Sequence, residues 1–102
     1  MFKLTVLYGP PTDAAAFETY YHGMHLPLVD RIPGLRRAEV GRVVGAPDGS
    51  ASPYHLITEL YFDDLAALQG GMGGPEGQAA AGDIPNFATG GVTLLVSEVL
   101  DS

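Results

Sequence analysis

The sequence predicts an α+β fold in which four strands and two helical regions follow one another as β-α-β-β-α-β. Three observations lead to this prediction. Four segments have the alternation of strands, two segments have the spacing of helices, and stretches rich in glycine and proline separate them. The chain has 102 residues, of which 46% are hydrophobic. That is enough for one core, so we expect a single domain over residues 1–102.

The first strand covers residues 2–8, where apolar side chains alternate. The prolines that follow end it, because proline has no donor for a strand ladder. A helix then begins at Thr12 or Asp13, either of which can cap it, and continues to about Met24. Spacings of three and four residues define its apolar stripe, which we expect to contain Ala14, Phe17, Tyr21 and Met24.

Pro27 is expected to disturb this helix. Its ring opposes a helical conformation at Leu26 and removes a backbone donor. We therefore expect a kink, one more turn through residues 29–31, and an end at Pro33-Gly34.

The second strand is predicted over residues 35–45. Its charged side chains occur on both faces, which favours a sheet edge or a contact with a partner. A hairpin loop over residues 46–53 leads to the clearest strand pattern in the chain, residues 54–62. Asp63 then caps a short helix from Leu65 to about Gln69.

The remaining segment is rich in glycine. Residues 70–77 are expected to form a flexible connection, and Pro75 suits the first turn of a second short helix that ends near Asp83. Residues 84–91 have no regular pattern, and residues 92–100 form the fourth strand. This order of elements is that of a ferredoxin-like fold, a four-stranded antiparallel sheet with helices on one face.

Composition excludes several classes of function. The net charge is −7 and only five residues are basic, which argues against nucleic-acid binding. The chain has no cysteine, so it forms no disulfide and no thiolate zinc site. No apolar run approaches the roughly 18 to 20 residues of a membrane helix. We expect a cytoplasmic protein with no membrane or nucleic-acid partner.

Apolar residues occur on both faces of the predicted strands. Leu7 and Tyr8 are adjacent in the first strand, and Leu60 and Tyr61 in the third. Helices can cover only one face of the sheet. A second copy of the sheet would cover the other, which predicts a homodimer through the sheet faces.

Three groups of residues carry a resemblance to a known family. They are Phe17…Tyr20-Tyr21…His25-Leu-Pro-Leu-Val, then Pro33-Gly34-Leu35, and Pro75-Glu-Gly77…Asp83…Pro85-Asn-Phe87. With the first strand, they resemble the EthD domain family of the dimeric α+β barrel superfamily over nearly the whole chain. The resemblance implies a dimer and a small pocket between each sheet and its helices. The superfamily includes cofactor-free monooxygenases, isomerases and polyketide cyclases, and the fold does not select among them.

His25 is the leading candidate for chemistry. It follows Tyr21 by one helical turn, so the two side chains can share a face. A histidine suits general acid or base catalysis at neutral pH. The alternative is that His25 hydrogen-bonds a backbone carbonyl freed by Pro27 and holds the kink.

Four further residues are candidates for binding a ligand. Tyr20 and Tyr21 can offer hydroxyl groups, and we expect one of them to reach the pocket. Phe87 lies on a segment that can either cover the pocket or plug the core. Glu59 is unusual inside a strong strand. It either pairs with an arginine such as Arg42 or acts together with the candidate histidine.

A metal site is not predicted. His22 and His25 are three residues apart, and Glu18 precedes His22 by four. Two histidines supply only two ligands, and no further cluster of ligands is evident. Glu18 and His22 are better explained as an exposed pair.

Two functions fit these observations. The first is a small-ligand protein that holds a compact apolar or aromatic metabolite in an aromatic-lined pocket. If it is an enzyme, it needs no cofactor and catalyses an isomerisation, a cyclisation or a monooxygenase-type oxidation, with His25 as the proton shuttle. The second is a non-catalytic, dimeric accessory or protective protein of a catabolic pathway, whose pocket is only a void in the core.

Overall fold

The protein is described by a computed structural model that covers residues 1–100 and contains one four-stranded sheet. Its strands are β1 (Phe2–Tyr8), β2 (Arg37–Arg42), β3 (Leu56–Phe62) and β4 (Val92–Glu98). They are arranged in the order β2-β3-β1-β4, and every neighbouring pair is antiparallel. This order confirms the ferredoxin-like fold. The second, third and fourth strands are each shorter than predicted by two to five residues at their ends.

Two helical regions cover one face of the sheet, which we call the inner face. The first consists of α1 (Ala14–Tyr20), a π-helical turn (Tyr21–His25) and α2 (Leu26–Val29). The second consists of α3 (Leu65–Gly73), α4 (Pro75–Asp83) and a short 3₁₀ helix (Ile84–Asn86). The buried side chains of the inner face come from the two central strands and are Leu4, Val6, Tyr8, Leu56, Thr58, Leu60 and Phe62.

The π-helical turn changes which residues of the first helical region face the sheet. The backbone N–H of Leu26 bonds to the carbonyl of Tyr21, five residues back rather than four. This extra residue moves the buried stripe by one position, so His25 is buried whereas Met24 is 59% exposed. The prediction that Met24 belongs to the apolar stripe is wrong for this reason.

The helix is disturbed just before Pro27, by the π turn, but the expected departure from helical angles at Leu26 is not found. Leu26 has helical backbone angles, with φ −58° and ψ −38°. Pro27 lies in the first turn of α2, where a residue without an N–H is tolerated. The wide π turn before it and the proline after it together let the chain continue.

The glycine-rich segment is helical rather than flexible, contrary to the prediction. α3 continues to Gly73, and Gly74 alone separates it from α4. Two glycines are explained by close packing. A Cβ atom on Gly71 would lie 2.5 Å from the carbonyl oxygen of Pro33, and one on Gly77 would lie 2.2 Å from that of Gly71.

The opposite face of the sheet, which we call the outer face, is not covered by helices. Charged residues lie at its centre. Lys3 Nζ is 3.3 Å from Glu59 Oε1, Tyr61 donates its hydroxyl to Glu59 at 3.0 Å, and Arg37 stacks on the Tyr61 ring with its guanidinium 4.2 Å from the centroid. Leu95 on β4 contributes an apolar side chain that is 51% exposed.

The pairings expected for two carboxylates are therefore wrong. Glu59 pairs with Lys3 and not with Arg42, because Arg42 lies opposite Leu56 and thus on the inner side of the sheet. Arg42 instead binds Glu18. Glu18 also accepts a hydrogen bond from His55 at 3.1 Å, and this replaces the expected pair with His22.

None of the helices in residues 1–100 is long and apolar enough to span a membrane.

Two adjacent glycines of α3 give a test of this packing. Gly70 is exposed with open space around its Cα, so Gly70→Ala should stabilise the fold by about 0.5 to 1 kcal/mol through higher helix propensity. Gly71→Ala should destabilise it by about 1 to 3 kcal/mol, because the new methyl group overlaps the Pro33 carbonyl. Urea denaturation of both variants measures the two free energies of unfolding. Equal effects would contradict the helical placement of this segment.

Candidate functional site

A small cavity of about 30 Å³ lies between the inner face and the helices. Its lining is mostly aliphatic and includes His25 from the π turn, Tyr8 from β1 and Thr58 from β3. The remaining lining residues are apolar and come from β1, α2, the loop after α2 (Ile32), β3, α3, α4, the 3₁₀ helix and β4. A water molecule needs at least about 10 to 15 Å³. The cavity therefore has room for roughly two water molecules, and a larger ligand has to displace part of the wall.

His25 is the main polar group of this wall. It is 3% exposed, and its Nδ1 atom lies 3.0 Å from Oδ2 of Asp83. The π turn gives His25 its inward direction, whereas Asp83 is the last residue of α4. The hydrogen bond thus joins the two helical regions at the cavity.

Asp83 accepts two further hydrogen bonds through its other carboxylate oxygen. The Tyr20 hydroxyl donates at 2.6 Å, and the Asn86 side-chain amide donates at 2.9 Å. Burial alone would raise the pKa of Asp83. The hydrogen bonds from Tyr20, Asn86 and His25 outweigh this effect and lower its pKa below the ordinary value of 3.8. Asp83 is therefore a carboxylate at neutral pH.

The charge of Asp83 fixes the tautomer of His25. A carboxylate can only accept a hydrogen bond, so Nδ1 of His25 carries the proton. Burial lowers the pKa of His25, and the opposing effect of Asp83 does not reverse this. The ring is therefore neutral at pH 7, and Nε2 carries a free lone pair.

The Nε2 atom is open to the cavity. Every fully buried side-chain nitrogen or oxygen in residues 1–100 has a hydrogen-bond partner. Asp83 is the hydrogen-bond partner that the structure provides for the His25 ring. Nε2 therefore keeps some accessible surface, and the cavity is the space that His25 lines. A neutral imidazole in this state is a general base.

Three of the predicted ligand-binding residues surround His25 without lining the cavity. The Tyr20 hydroxyl is held by Asp83, and the Tyr21 hydroxyl shares a 2.5 Å hydrogen bond with Thr58. Phe87 is buried and packs on the His25 ring with the centroids 4.6 Å apart. The three aromatic residues expected in the lining therefore lie behind a mostly aliphatic wall, to which Tyr8 contributes a tyrosine ring.

Glu59 is not brought to His25. It lies on the outer face of the sheet with Lys3 and Tyr61. The carboxylate expected beside His25 is present, but Asp83 supplies it. Asp83 is 58 positions away in the chain, and no local spacing connects the two residues. The only signal in the sequence was that Asp83 belongs to a segment that resembles the EthD pattern.

The described residues contain no group of three or more His, Cys, Asp or Glu side chains that could hold a metal ion. His22 is exposed, whereas His25 is buried. That the protein needs no cofactor stays a prediction.

Comparison of the sequence with known proteins adds two findings. The family model of the EthD domain matches residues 9–91. The chain is 39% identical over 98 residues to an uncharacterized 11.0 kDa protein in the thcB-thcC intergenic region of Rhodococcus erythropolis, covering 96% of this chain and 94% of that protein.

Two solved structures extend the comparison. A crystal structure of an ethyl tert-butyl ether d (EthD) family protein from Bacillus halodurans is 41% identical, has a TM-score of 0.92, and the match covers 98% of this chain and 99% of that one. A dimeric ferredoxin-like protein of unknown function from Jannaschia sp. has the same fold, with a TM-score of 0.71, 20% identity, and coverage of 97% and 100%.

The state of His25 predicts how stability depends on pH. Its pKa in the folded protein lies below the ordinary 6.5, so between these two values the unfolded chain binds more protons than the folded one. Stability is therefore complete above about pH 6.5 and decreases as the pH falls, by up to about 1.4 kcal/mol per pH unit.

Urea denaturation at pH 7 and at pH 5 should show this loss in the wild type. The His25→Gln variant should lose clearly less stability over the same interval, whereas His22→Gln should behave as the wild type. A histidine at position 25 that remains protonated at pH 7 in an NMR titration would contradict the assignment.

Proposed function

This chain belongs to the EthD family, and we propose that it binds a compact, largely apolar or aromatic metabolite in the cavity between the sheet and the helices. The observation that carries this proposal is the buried His25–Asp83 pair in the cavity wall. A buried histidine costs free energy unless it is paired. Here the pair leaves one ring nitrogen available to a largely apolar space, which is the arrangement of a ligand-binding site.

In this proposal His25 is the catalytic group and Asp83 is a positioning residue. The Nε2 lone pair takes a proton from the bound metabolite, and the nearby carboxylate stabilises the imidazolium that forms. The same nitrogen can return the proton to another position. This chemistry needs no cofactor and suits an isomerisation or a cyclisation. It also suits the oxygenation, by molecular oxygen as co-substrate, of a substrate that the proton removal has activated.

Access to the cavity requires movement of its wall. The segment from α3 to α4 contributes small side chains and contains several glycines. Gly70, Gly73 and Gly82 have open space around them, and each lowers helix stability by about 1 kcal/mol relative to alanine. This wall is therefore the one that we expect to shift when a ligand enters.

The second candidate function is a non-catalytic accessory or protective protein of a catabolic pathway. Two observations favour it. The cavity of about 30 Å³ is as small as a packing void, and the relative from Rhodococcus is encoded between two other genes. In that case the His25–Asp83 pair only joins the two helical regions.

A homodimer is also part of the proposal. The outer face is uncovered, and Leu95 is half-exposed there. Several proteins with this fold, among them the one from Jannaschia, are described as dimeric. A second sheet on the outer face would bury Leu95 and enclose the Lys3–Glu59 pair. The cytoplasmic location stays a prediction.

Thermal-shift screening against neutral aromatic and cyclic metabolites distinguishes the two functions. A ligand of the wild type should raise its melting temperature, and His25→Gln should lose this increase while remaining folded. Asp83→Asn should also weaken binding, because the amide removes the charge that fixes the tautomer. The Asp83→Asn variant should also change the ¹⁵N chemical shifts of the His25 ring nitrogens. Asp48→Asn, in the exposed hairpin loop, is the matched control. Stabilisation that survives His25→Gln would contradict the proposal.

Light scattering tests the dimer. The wild type should have twice the mass of one chain at micromolar concentration. Leu95→Lys should shift it to the monomer, because a charge is placed in the apolar part of the interface. Met24→Lys, which changes a similarly exposed residue on the helical side, should remain dimeric. A wild type that is monomeric throughout this range would contradict the packing of sheet on sheet.

A further inference from the structure

The Tyr8 hydroxyl is a second polar group that opens into the cavity. The Tyr8 side chain is 1% exposed and packs edge to face against Phe17 and Tyr21, with ring centroids 5.4 and 5.8 Å apart. The structure provides no hydrogen-bond partner for its hydroxyl within residues 1–100, although every fully enclosed polar side-chain atom there has one. The hydroxyl therefore has accessible surface, and Tyr8 lines the same cavity as His25.

Tyr8 and His25 are complementary in their hydrogen bonding. Burial raises the pKa of Tyr8, and the nearby Tyr21 and Asp83 raise it further, so the hydroxyl keeps its proton and can donate. Nε2 of His25 can only accept. Thr58, the other polar residue of the lining, is already engaged with Tyr21. The cavity thus offers one free donor and one free acceptor in apolar surroundings.

The charges around the cavity select against anions. No lysine or arginine lines it. The Asp83 carboxylate lies behind His25, and the chain as a whole has a net charge of −7. A carboxylate or phosphate in the cavity would be desolvated without a counter-ion, which is strongly unfavourable. The ligand that fits is neutral.

On the basis of the proposed function, we propose that the ligand is a small neutral carbonyl compound with an acidic hydrogen on the adjacent carbon. The Tyr8 hydroxyl donates a hydrogen bond to the carbonyl oxygen, and Nε2 of His25 removes the hydrogen of the adjacent carbon. Tyr8 is then a second catalytic residue, because it contacts the oxygen on which charge develops.

The step is balanced without any other reactant. The C–H bond breaks, and its proton moves to Nε2. The electron pair of that bond forms a carbon–carbon double bond, and the carbonyl π electrons move onto the oxygen, where the Tyr8 hydroxyl stabilises them. Asp83 stabilises the imidazolium. Return of the proton to the same carbon regenerates the carbonyl compound, and return elsewhere isomerises it.

Acetylacetone is a suitable probe because it is small and neutral near pH 7 and has an acidic central methylene group. Exchange of its methylene hydrogens in D₂O, followed by NMR and extrapolated to zero buffer, should be faster in proportion to protein concentration. Tyr8→Phe should reduce the slope of exchange rate against protein concentration by roughly 10²-fold, as for the loss of one donor to an oxyanion. Tyr54→Phe, a partly exposed tyrosine outside the cavity, should leave it unchanged. Acetoacetate, which is similar in size but anionic, should bind at least tenfold more weakly.

The stability of Tyr8→Phe separates a catalytic role from a structural one. Because the hydroxyl has no partner in the fold, its removal should leave the melting temperature unchanged or raise it. A clear decrease would show that the hydroxyl has a structural partner and would overturn the inference.

Failure of this inference differs from failure of the proposed function. If His25→Gln abolishes exchange but Tyr8→Phe does not, the role of Tyr8 is overturned while the ligand site remains. A second outcome is that acetylacetone neither binds nor exchanges faster while another compound stabilises the protein through His25. That result overturns only the claim that the ligand is a carbonyl compound, and the proposed ligand site remains. If no compound is bound at all, both proposals are wrong.

Discussion

The backbone hydrogen bond from the N–H of Leu26 to the carbonyl of Tyr21 determines which side chains of the first helical region face the sheet. It widens one helical turn, and the residues after it rotate by one position relative to the sheet. In a regular α-helix, Met24 and His25 would both lie near the face of Tyr21, whereas here His25 is buried and Met24 is exposed. The site therefore depends on a choice between two backbone patterns that differ by a single residue. A proline two positions after His25 favours the wide turn, because it withdraws one donor from the regular pattern.

The buried carboxylate of Asp83 shows how the fold compensates for an unfavourable group. Burial works against its charge, yet three donors from three different elements surround it. Tyr20 and His25 come from the first helical region and Asn86 from the 3₁₀ helix. The carboxylate therefore holds the two helical regions at a fixed separation above the sheet. The same contacts orient the imidazole, so structural and chemical roles coincide in one residue.

The strands and their order could be predicted from the sequence because side-chain alternation is a local property. The outer and inner faces of β1 and β3 follow directly from it. Other features could not be predicted. The π turn adds one residue to a helical turn, which the three-and-four spacing of the sequence does not reveal. Gly71 signals flexibility until its close contact with Pro33 is known.

The candidate site was predicted only in part for a related reason. His25 was identified from its residue type and its position near a proline. Asp83 and Tyr8 join it through the tertiary fold, across 58 and 17 positions of the chain respectively. Glu59 was assigned to the same space because a carboxylate in a strand is rare, but alternation places it on the other side of the sheet.

The pairing of β1 has a consequence for the order in which the protein forms during synthesis. β1 is made first, yet it lies between β3 and β4 and needs both of them as neighbours. One of its edges stays unpaired until residues 56–62 leave the ribosome, and the other until residues 92–98 have followed. Throughout translation, the nascent chain therefore presents an apolar strand with open hydrogen-bonding groups. This is the kind of intermediate that chaperones protect from association.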